Sequence, residues 1–206
     1  MIYLSDDYVE KYISAISYLI GRSCFEGYSF DFIEKSIAYS SAISEFERSN
    51  VTLLAFSSIE KTYNDIFPSH DNEYNYSEYD IYGWVGFAYV HLFLSLEITF
   101  EALFYVIPIE EMLKLYSLYH EMDINRLVDH AKELMSRSIL DVIMKKQDIS
   151  NRELSDKTQI PVSTINSLRY GIRDISKLEA NKLLVLSRSL NVKMETLLHE
   201  IYLKKI

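Results

Sequence analysis

A group of metal-binding and acid–base side chains in this 206-residue chain lies between positions 120 and 130. It comprises two histidines and three carboxylates: His120, Glu121, Asp123, Asp129 and His130. Imidazole and carboxylate groups bind divalent metals and transfer protons, so metal or hydrolytic chemistry would be sought here first. Residues 123–135 also have the spacing of an amphipathic helix, which favours an exposed, solvated helix end and no metal site.

The same segment narrowly misses a nuclease signature. His130 follows Arg126 with one residue too few between them for the Arg-x4–6-His pattern of a superfamily of helical ribonucleases. Four positions apart on a helix, the two side chains form an ordinary exposed pair. The sequence lacks a P-loop, a GxGxxG turn and a nucleophile elbow, and its single cysteine, Cys24, has no neighbouring base. We therefore expect no enzymatic activity, no metal and no cofactor.

The composition indicates a globular protein with a substantial core, because 49% of the residues are hydrophobic and 25% are charged. The longest apolar run, residues 84–96, already contains His91 and is shorter than the roughly 18 residues that a membrane span needs. The opening residues, MIYLSDDY, lack the basic segment of a secretory signal. These features predict a cytoplasmic protein that does not associate with a membrane.

The charge of the chain changes sign near residue 135. Residues 1–135 carry 8 Lys and Arg against 22 Asp and Glu, a net charge of −14, whereas residues 136–206 carry 13 against 8, a net charge of +5. Of the 28 Phe, Trp and Tyr residues, only Tyr170 and Tyr202 follow position 135. Two compositional changes at one place predict two domains, 1–135 and 136–206. A basic domain on an acidic protein favours a phosphate-bearing partner.

The acidic part has the apolar spacing of helices and predicts an aromatic-rich helical domain. Gly21 is the predicted C-cap of its first helix, and Pro108 is placed to begin a later one. The stretch 82–105 is apolar on nearly all sides, which is typical of a central buried helix. The predicted helices are 6–20, 29–43, 59–66, 82–105, 109–120 and 123–135, and the pattern of residues 51–56 also fits a strand.

The basic part begins its helices with strong local signals. Ser150 and Glu153 have the S-x-x-E form of a capping box, and Ile149 and Leu154 on either side can form a hydrophobic staple. The helix that starts there is short, because Pro161 interrupts it. A second short helix over 161–169 would then follow a tight turn, and two such helices form a helix-turn-helix unit.

Further signals complete a small all-α domain. A helix is predicted upstream at 138–146, and Gly171 ends the helix over 161–169. Ser176 and Glu179 form a second capping-box pattern, after which a helix runs to Asn191. A last helix is predicted over 194–203. The basic part therefore contains five short helices, and the whole chain is expected to be all-α.

The stretch DISNRELSDKTQIPVSTINSLRYG resembles the helix-turn-helix of the Cro/CI-type (xenobiotic-response-element-like) repressor superfamily. Ser155 occupies the small-residue position where the two helices cross, Ile160 the apolar position after the turn, and Ile165 the β-branched position that anchors the second helix. The tail LLVLSRSLNVKMETLL resembles the fourth and fifth helices of that family. The resemblance covers residues 136–203.

Two residues in the turn depart from the family pattern. Gln159 stands where glycine is usual, and glycine adopts the left-handed conformation of this position at little cost. Pro161 stands where a capping serine is common. These departures concern the detail of the turn and leave the expected fold unchanged.

The resemblance implies that the second helix lies in the DNA major groove and presents its exposed side chains to base edges. With Ile165 and Leu168 inward, Asn166 is placed for adenine, Arg169 for guanine or a phosphate, and Val162 for a thymine methyl group. The residues that face outward on this helix are Val162, Ser163, Thr164, Asn166, Ser167, Arg169 and Tyr170. The residues placed for phosphate contacts are Asn151, Arg152, Arg173 and Lys177.

The expected function is that of a sequence-specific, homodimeric transcriptional repressor that binds double-stranded DNA. The segment GWVGFAYVHLFLSLEITFEALFYVIPIEEMLKLYSLYHEMD is similar to helical domains of small bacterial regulators, antitoxins among them. An antitoxin would use the acidic domain to bind a basic toxin and the basic domain to repress its own operon. Two alternatives remain: a regulator whose acidic domain binds a small effector or only dimerises, and a protein whose acidic domain is an enzyme or toxin.

Overall fold

The computed structural model describes residues 6–47, 59–68, 79–135 and 138–198. Within these residues the regular structure consists of thirteen α-helices and one short 3-10 turn, which confirms the all-α fold class. The helices of the acidic part are α1 Asp6–Phe25, α2 Phe30–Tyr39, α3 Ser41–Glu47, α4 Ile59–Ile66, α5 Tyr79–Leu96, α6 Phe100–Val106, α7 Ile109–Tyr119 and α8 Ile124–Leu134. The helices of the basic part are α9 Ile139–Lys146, α10 Asn151–Thr158, α11 Val162–Arg169, α12 Ala180–Leu190 and α13 Met194–Leu198, with the 3-10 turn at Ile175–Lys177.

Helices α1 and α5 form the most extensive packing contact of the acidic part, and glycines allow them to approach closely. A Cβ atom at Gly86 would lie 2.5 Å from the Cα of Ser17, and one at Gly21 would lie 3.2 Å from the backbone oxygen of Tyr82. The prediction that Gly21 ends the first helix is therefore wrong: α1 continues to Phe25. Glycine stands at position 21 because α1 and α5 pack closely there, and not because the helix ends.

The predicted helix over 82–105 is wrong as a single element. The chain bends by 108° between α5 and α6. Glu97 adopts a left-handed conformation with φ 53°, and the Thr99 side chain caps α6 by accepting a hydrogen bond from the backbone of Ala102. The bend places the rings of Phe93 and Phe100 in a stack with centroids 5.1 Å apart. This buried turn could not be predicted from the sequence, because the residues on both sides of it are apolar.

Smaller differences occur at other helix boundaries. The predicted helix over 29–43 is divided at Ser40 into α2 and α3. The second capping box is wrong: Asp174 caps the 3-10 turn through the backbone of Ser176, and α12 begins after Glu179 without a side-chain cap. The first capping box, at Ser150, is confirmed with both of its hydrogen bonds. The last predicted helix begins at Met194 as expected, and residues 199–203 of it lie outside the described residues.

No single helix within the described ranges is long and apolar enough to cross a membrane. The bent pair formed by α5 and α6 meets the requirement by length and composition only.

The helices on the two sides of residue 135 share one continuous hydrophobic core. Helix α6 packs against α9 and α13 of the basic part. Polar contacts add to this packing: Gln147 donates hydrogen bonds to the Tyr105 hydroxyl at 2.9 Å and to the carbonyl oxygen of Leu190 at 2.7 Å. The division into domains 1–135 and 136–206 stays a prediction. The contacts described here fix how α9 and α13 are oriented on α6.

Candidate nucleic-acid interface

The turn between α10 and α11 forms without glycine. Gln159 adopts the left-handed conformation with φ 57°, and its side-chain amide donates to the carbonyl oxygen of Asp156 at 2.8 Å. The hydroxyl of Ser155 donates to the carbonyl oxygen of Ile160 at 2.6 Å, which ties α10 to the chain beyond the turn. Pro161 precedes α11 with no side-chain cap. The departure at Gln159 is thus accommodated by a local hydrogen bond, whereas α11 begins after Pro161 without one from a capping side chain.

Helix α11 has one buried face and one exposed face. Ile165 and Leu168 have no exposed surface, as the sequence predicts. The side chains on the opposite face can all enter a single DNA groove. They present the methyl groups of Val162, several hydroxyls and the amide of Asn166. Its exposed residues are Val162, Ser163, Asn166 and Tyr170, and its half-buried ones are Thr164, Ser167 and Arg169.

Arg169 is held at the end of α11 by a buried carboxylate. Its Nε atom donates to Oδ1 of Asp141 at 2.6 Å, and Lys145 binds the other oxygen of Asp141 at 2.6 Å. Burial opposes ionisation of Asp141, but the hydrogen bonds and charges of Lys145 and Arg169 outweigh it, so the pKa of Asp141 lies below its ordinary value. The Ser138 hydroxyl, which caps α9, also donates to the carbonyl oxygen of Arg169 at 2.8 Å.

A chain of side-chain hydrogen bonds continues from Arg169 along the surface. Its Nη1 donates to Oδ1 of Asn151 at 2.9 Å, and Nδ2 of Asn151 donates to Oδ1 of Asn166 at 3.0 Å. The sequence placed these three residues in separate roles, whereas the structure brings them into one network that fixes the amide of Asn166. Asp141 completes the network, and it could not be predicted from the sequence because its partner lies 28 positions away.

The remaining predicted residues flank this face. Arg152, at the start of α10, and Arg173 and Lys177, in the loop after α11, are exposed. The backbone amides of Ile172 and Arg173 both donate to the carbonyl oxygen of Ser167, which holds the loop against the end of α11. Ile172 is 79% exposed beside them, and the sequence analysis did not select it, although an isolated apolar residue after a helix-ending glycine was visible.

Two of the acid–base side chains at 120–130 lie against aromatic rings. His120 stacks on Tyr116, with ring centroids 4.4 Å apart, and His130 lies against Tyr119. Among the described residues, no three His, Cys, Asp or Glu side chains are grouped to hold a metal ion. Cys24 is buried, and burial raises the pKa of its thiol to about 12.

Comparison with known proteins gives a family match for the C-terminal third of the chain. Residues 139–200 match the family model of the Cro/C1-type HTH DNA-binding domain. Searches of curated proteins and of solved structures gave no match. The matched range begins at α9 and contains the α10–α11 unit and its network. The chain thus carries a Cro/C1-type helix-turn-helix domain at its C-terminus and is a DNA-binding transcriptional regulator.

Proposed function

We propose that this regulator is a sequence-specific repressor that reads its operator with the exposed face of α11. The observation that carries the proposal is the position of Asn166, whose amide is exposed and oriented by Asn151 and Arg169. An amide held in this way can bind the adenine edge bidentately once its internal hydrogen bond is exchanged for one to the base. Val162, at the start of α11 and 45% exposed, suits a thymine methyl group.

Phosphate contacts would position α11 in the groove. Arg152 lies at one end of the unit, and Arg173 and Lys177 lie beyond the other, so all three can face the sugar–phosphate backbone while α11 faces the bases. Asn151 is exposed enough to contribute from the first turn of α10. Asp141 would act as a positioning residue, since it holds Arg169 and, through it, the end of α11.

The proposed repressor works as a homodimer in the cytoplasm, without a membrane and without catalytic activity of its own. A single module of this size buries little DNA surface, and a two-fold dimer places two α11 helices about one helical turn of DNA apart. The test is a footprint of the full chain on the DNA upstream of its own gene, combined with sedimentation at micromolar concentration. Two protected half-sites and a dimer support the proposal; a monomer with a single unrepeated footprint contradicts it.

The acidic part is proposed to bind a basic protein, as an antitoxin binds its toxin. Residues 1–135 carry a net charge of −14, which repels DNA and attracts cationic partners. The test is purification of the full tagged chain from its host, with identification of what accompanies it. A basic protein that the adjacent gene encodes, and that dissociates with salt, supports the antitoxin role. Purification without such a partner contradicts it and leaves operator binding untouched.

A further inference from the structure

A cleft of about 400 Å³ lies where helices of the acidic part meet the helix-turn-helix domain. Helix α2 forms one wall, α6 and Pro108 form the second, and Lys146 of α9 with Asn191 at the end of α12 forms the third. Its volume is in the range of small-molecule sites, and it lies where two parts of a chain meet, a frequent location for them. None of the residues proposed for DNA contact lines it.

Three hydrogen-bond donors line this cleft: the Lys146 ammonium and the Asn191 side-chain amide, both on exposed residues, and the hydroxyl of the half-buried Tyr105. The Lys146 ammonium donates to the carbonyl oxygen of Phe104 at 3.3 Å, and no carboxylate of the described residues lies within 4.0 Å of it. The Tyr105 hydroxyl accepts from Gln147 and donates to no described residue, and the side-chain amide of Asn191 likewise donates to none of them. Desolvation in the cleft lowers the pKa of Lys146 to about 8, against the opposing charges of Glu34 and Glu111.

The carboxylates around the cleft are already used by the protein. Glu34 accepts from the backbone amide of Ile109 at 2.7 Å, and Asp31 pairs with Lys35 at 2.7 Å. The negative charge of these carboxylates disfavours a dianion such as phosphate. The donors of Lys146, Tyr105 and Asn191 favour the two oxygens of a single carboxylate group. A third carboxylate, Glu101, also lines the cleft, and the rest of the lining is apolar or aromatic: Ala38, Tyr39, Phe104, Tyr105 and Pro108.

One wall of the cleft is joined directly to the DNA-binding domain. Glu101, 4% exposed, accepts hydrogen bonds from the Tyr39 hydroxyl at 2.7 Å and from the backbone amide of Lys193 at 2.9 Å. It also accepts from the Thr196 hydroxyl, at the start of the last helix. Tyr39 lines the cleft, so a ligand against its ring would lie next to the hydrogen bonds that join Lys193 and α13 to Glu101 of α6.

We propose that this cleft binds a small organic monocarboxylate and that its occupancy changes the affinity of the helix-turn-helix domain for its operator. The carboxylate would accept hydrogen bonds from Lys146 and Tyr105, and the hydrocarbon body would lie between Tyr39 and Phe104. The effect on DNA rests on the proposed function, whereas binding of the carboxylate does not. Coupling between two sites is typically about 5- to 150-fold in affinity.

The first experiment measures ligand binding to the full chain without DNA, by calorimetry. The probes are benzoate, phenylacetate and hexanoate, each compared with its uncharged amide, and benzylamine and inorganic phosphate. We expect at least one carboxylate to bind saturably and about tenfold or more tightly than its amide, because a hydrogen bond to a charged group is lost. Equal binding of the amide, tighter binding of benzylamine or phosphate, or no binding of any carboxylate at 10 mM overturns the proposal.

A pair of variants locates the site. Lys146→Met should weaken carboxylate binding about tenfold or more, whereas Lys182→Met, which removes a lysine of α12 that does not line the cleft, should leave it unchanged. Thermal unfolding of both variants establishes that they fold. Should Lys146→Met not fold, Tyr105→Phe tests the same site through its hydroxyl. Unchanged affinity in the folded variant overturns the assignment.

The second experiment measures operator affinity with and without the bound carboxylate, at constant total salt because protein–DNA affinity depends steeply on salt. A change of about fivefold or more in the wild type, absent in Lys146→Met, supports the coupling. Bound carboxylate with unchanged operator affinity overturns the regulatory part of the proposal. Failure of operator binding itself would contradict the proposed function and leave the calorimetric result standing.

Discussion

Arg169 donates from Nε to Oδ1 of Asp141 at 2.6 Å, and this ion pair joins the last residue of the proposed reading helix to the first helix of the domain. Asp141 is 2% exposed, so its charge depends on Arg169 and Lys145. Removal of one partner from such a buried pair leaves the other partner uncompensated, and that loss is larger than the net contribution of the pair. The relationship makes Asp141 a structural determinant of α11 although it is buried.

Asp141→Asn should lower the free energy of unfolding by about 3 kcal/mol, because the buried end of the Arg169 guanidinium loses its carboxylate. Denaturant unfolding at pH 7 measures the effect. Asp129→Asn is the matched control: this acid is exposed and lies 3.8 Å from Lys132, so its removal should change the stability by less than about 1 kcal/mol. Equal effects of the two substitutions would contradict the role given to Asp141.

The difference in stability between wild type and Asp141→Asn should depend on pH in one direction. The pKa of Asp141 is lowered in the folded state below its ordinary value of 3.8, so the folded protein binds its proton less readily than the unfolded chain. The stabilisation is therefore fully present above about pH 5 and is lost as the pH falls through the folded pKa. Unfolding of both proteins between pH 7 and pH 3 measures this. A difference that grows as the pH falls would show that the sign is wrong.

Asn166→Ala should weaken binding to the operator by about 1–3 kcal/mol and relax base preference at one position, because a bidentate base contact is removed. Competition binding against operators changed at single base pairs measures both effects. Asn125→Ala, an exposed asparagine on α8, is the control and should change neither. Uniform loss of affinity on all sequences would instead place Asn166 among the phosphate contacts.

Arg152→Ala should weaken binding to all DNA sequences alike and lower the slope of log K against log salt by about 0.9, the value for one phosphate contact. Titrations of a duplex between low and moderate salt measure the slope. Arg126→Ala, an exposed arginine of the acidic part, should leave the slope unchanged. A selective loss on the operator alone would mean that Arg152 reads a base.

Gly86→Ala should destabilise the protein by about 1–3 kcal/mol, since the added Cβ overpacks a close helix contact. That atom would lie 2.5 Å from the Cα of Ser17. Gly83→Ala, in the same helix, is the control: nothing lies within 4 Å of its added Cβ, and it should gain about 0.5–1 kcal/mol from lower chain entropy. Thermal unfolding of the pair separates steric effects from helix propensity. Similar stability of the two variants would contradict the close approach of α1 and α5.

Much of the DNA-binding domain could be predicted because its signals act within a few residues. The capping box at Ser150, the inward positions Ile165 and Leu168, and the end of α12 at Asn191 depend on hydrogen bonds and apolar spacing over one or two helical turns. Such short-range interactions can be predicted directly from the order of the residues. The exposed face of α11 follows from the same spacing, which is why the predicted reading residues lie on one side of it.

Tertiary structure alone decided how the helices meet. The bend between α5 and α6 lies in an apolar run whose spacing fits one helix equally well, so only the packing of Phe93 on Phe100 distinguishes the two. The Asp141–Arg169 pair and the bonds of Glu101 to Lys193 join residues 28 and 92 positions apart. The energies of these contacts depend on the relative position of whole helices, because a charge or hydroxyl gains its partner only when the intervening core has packed.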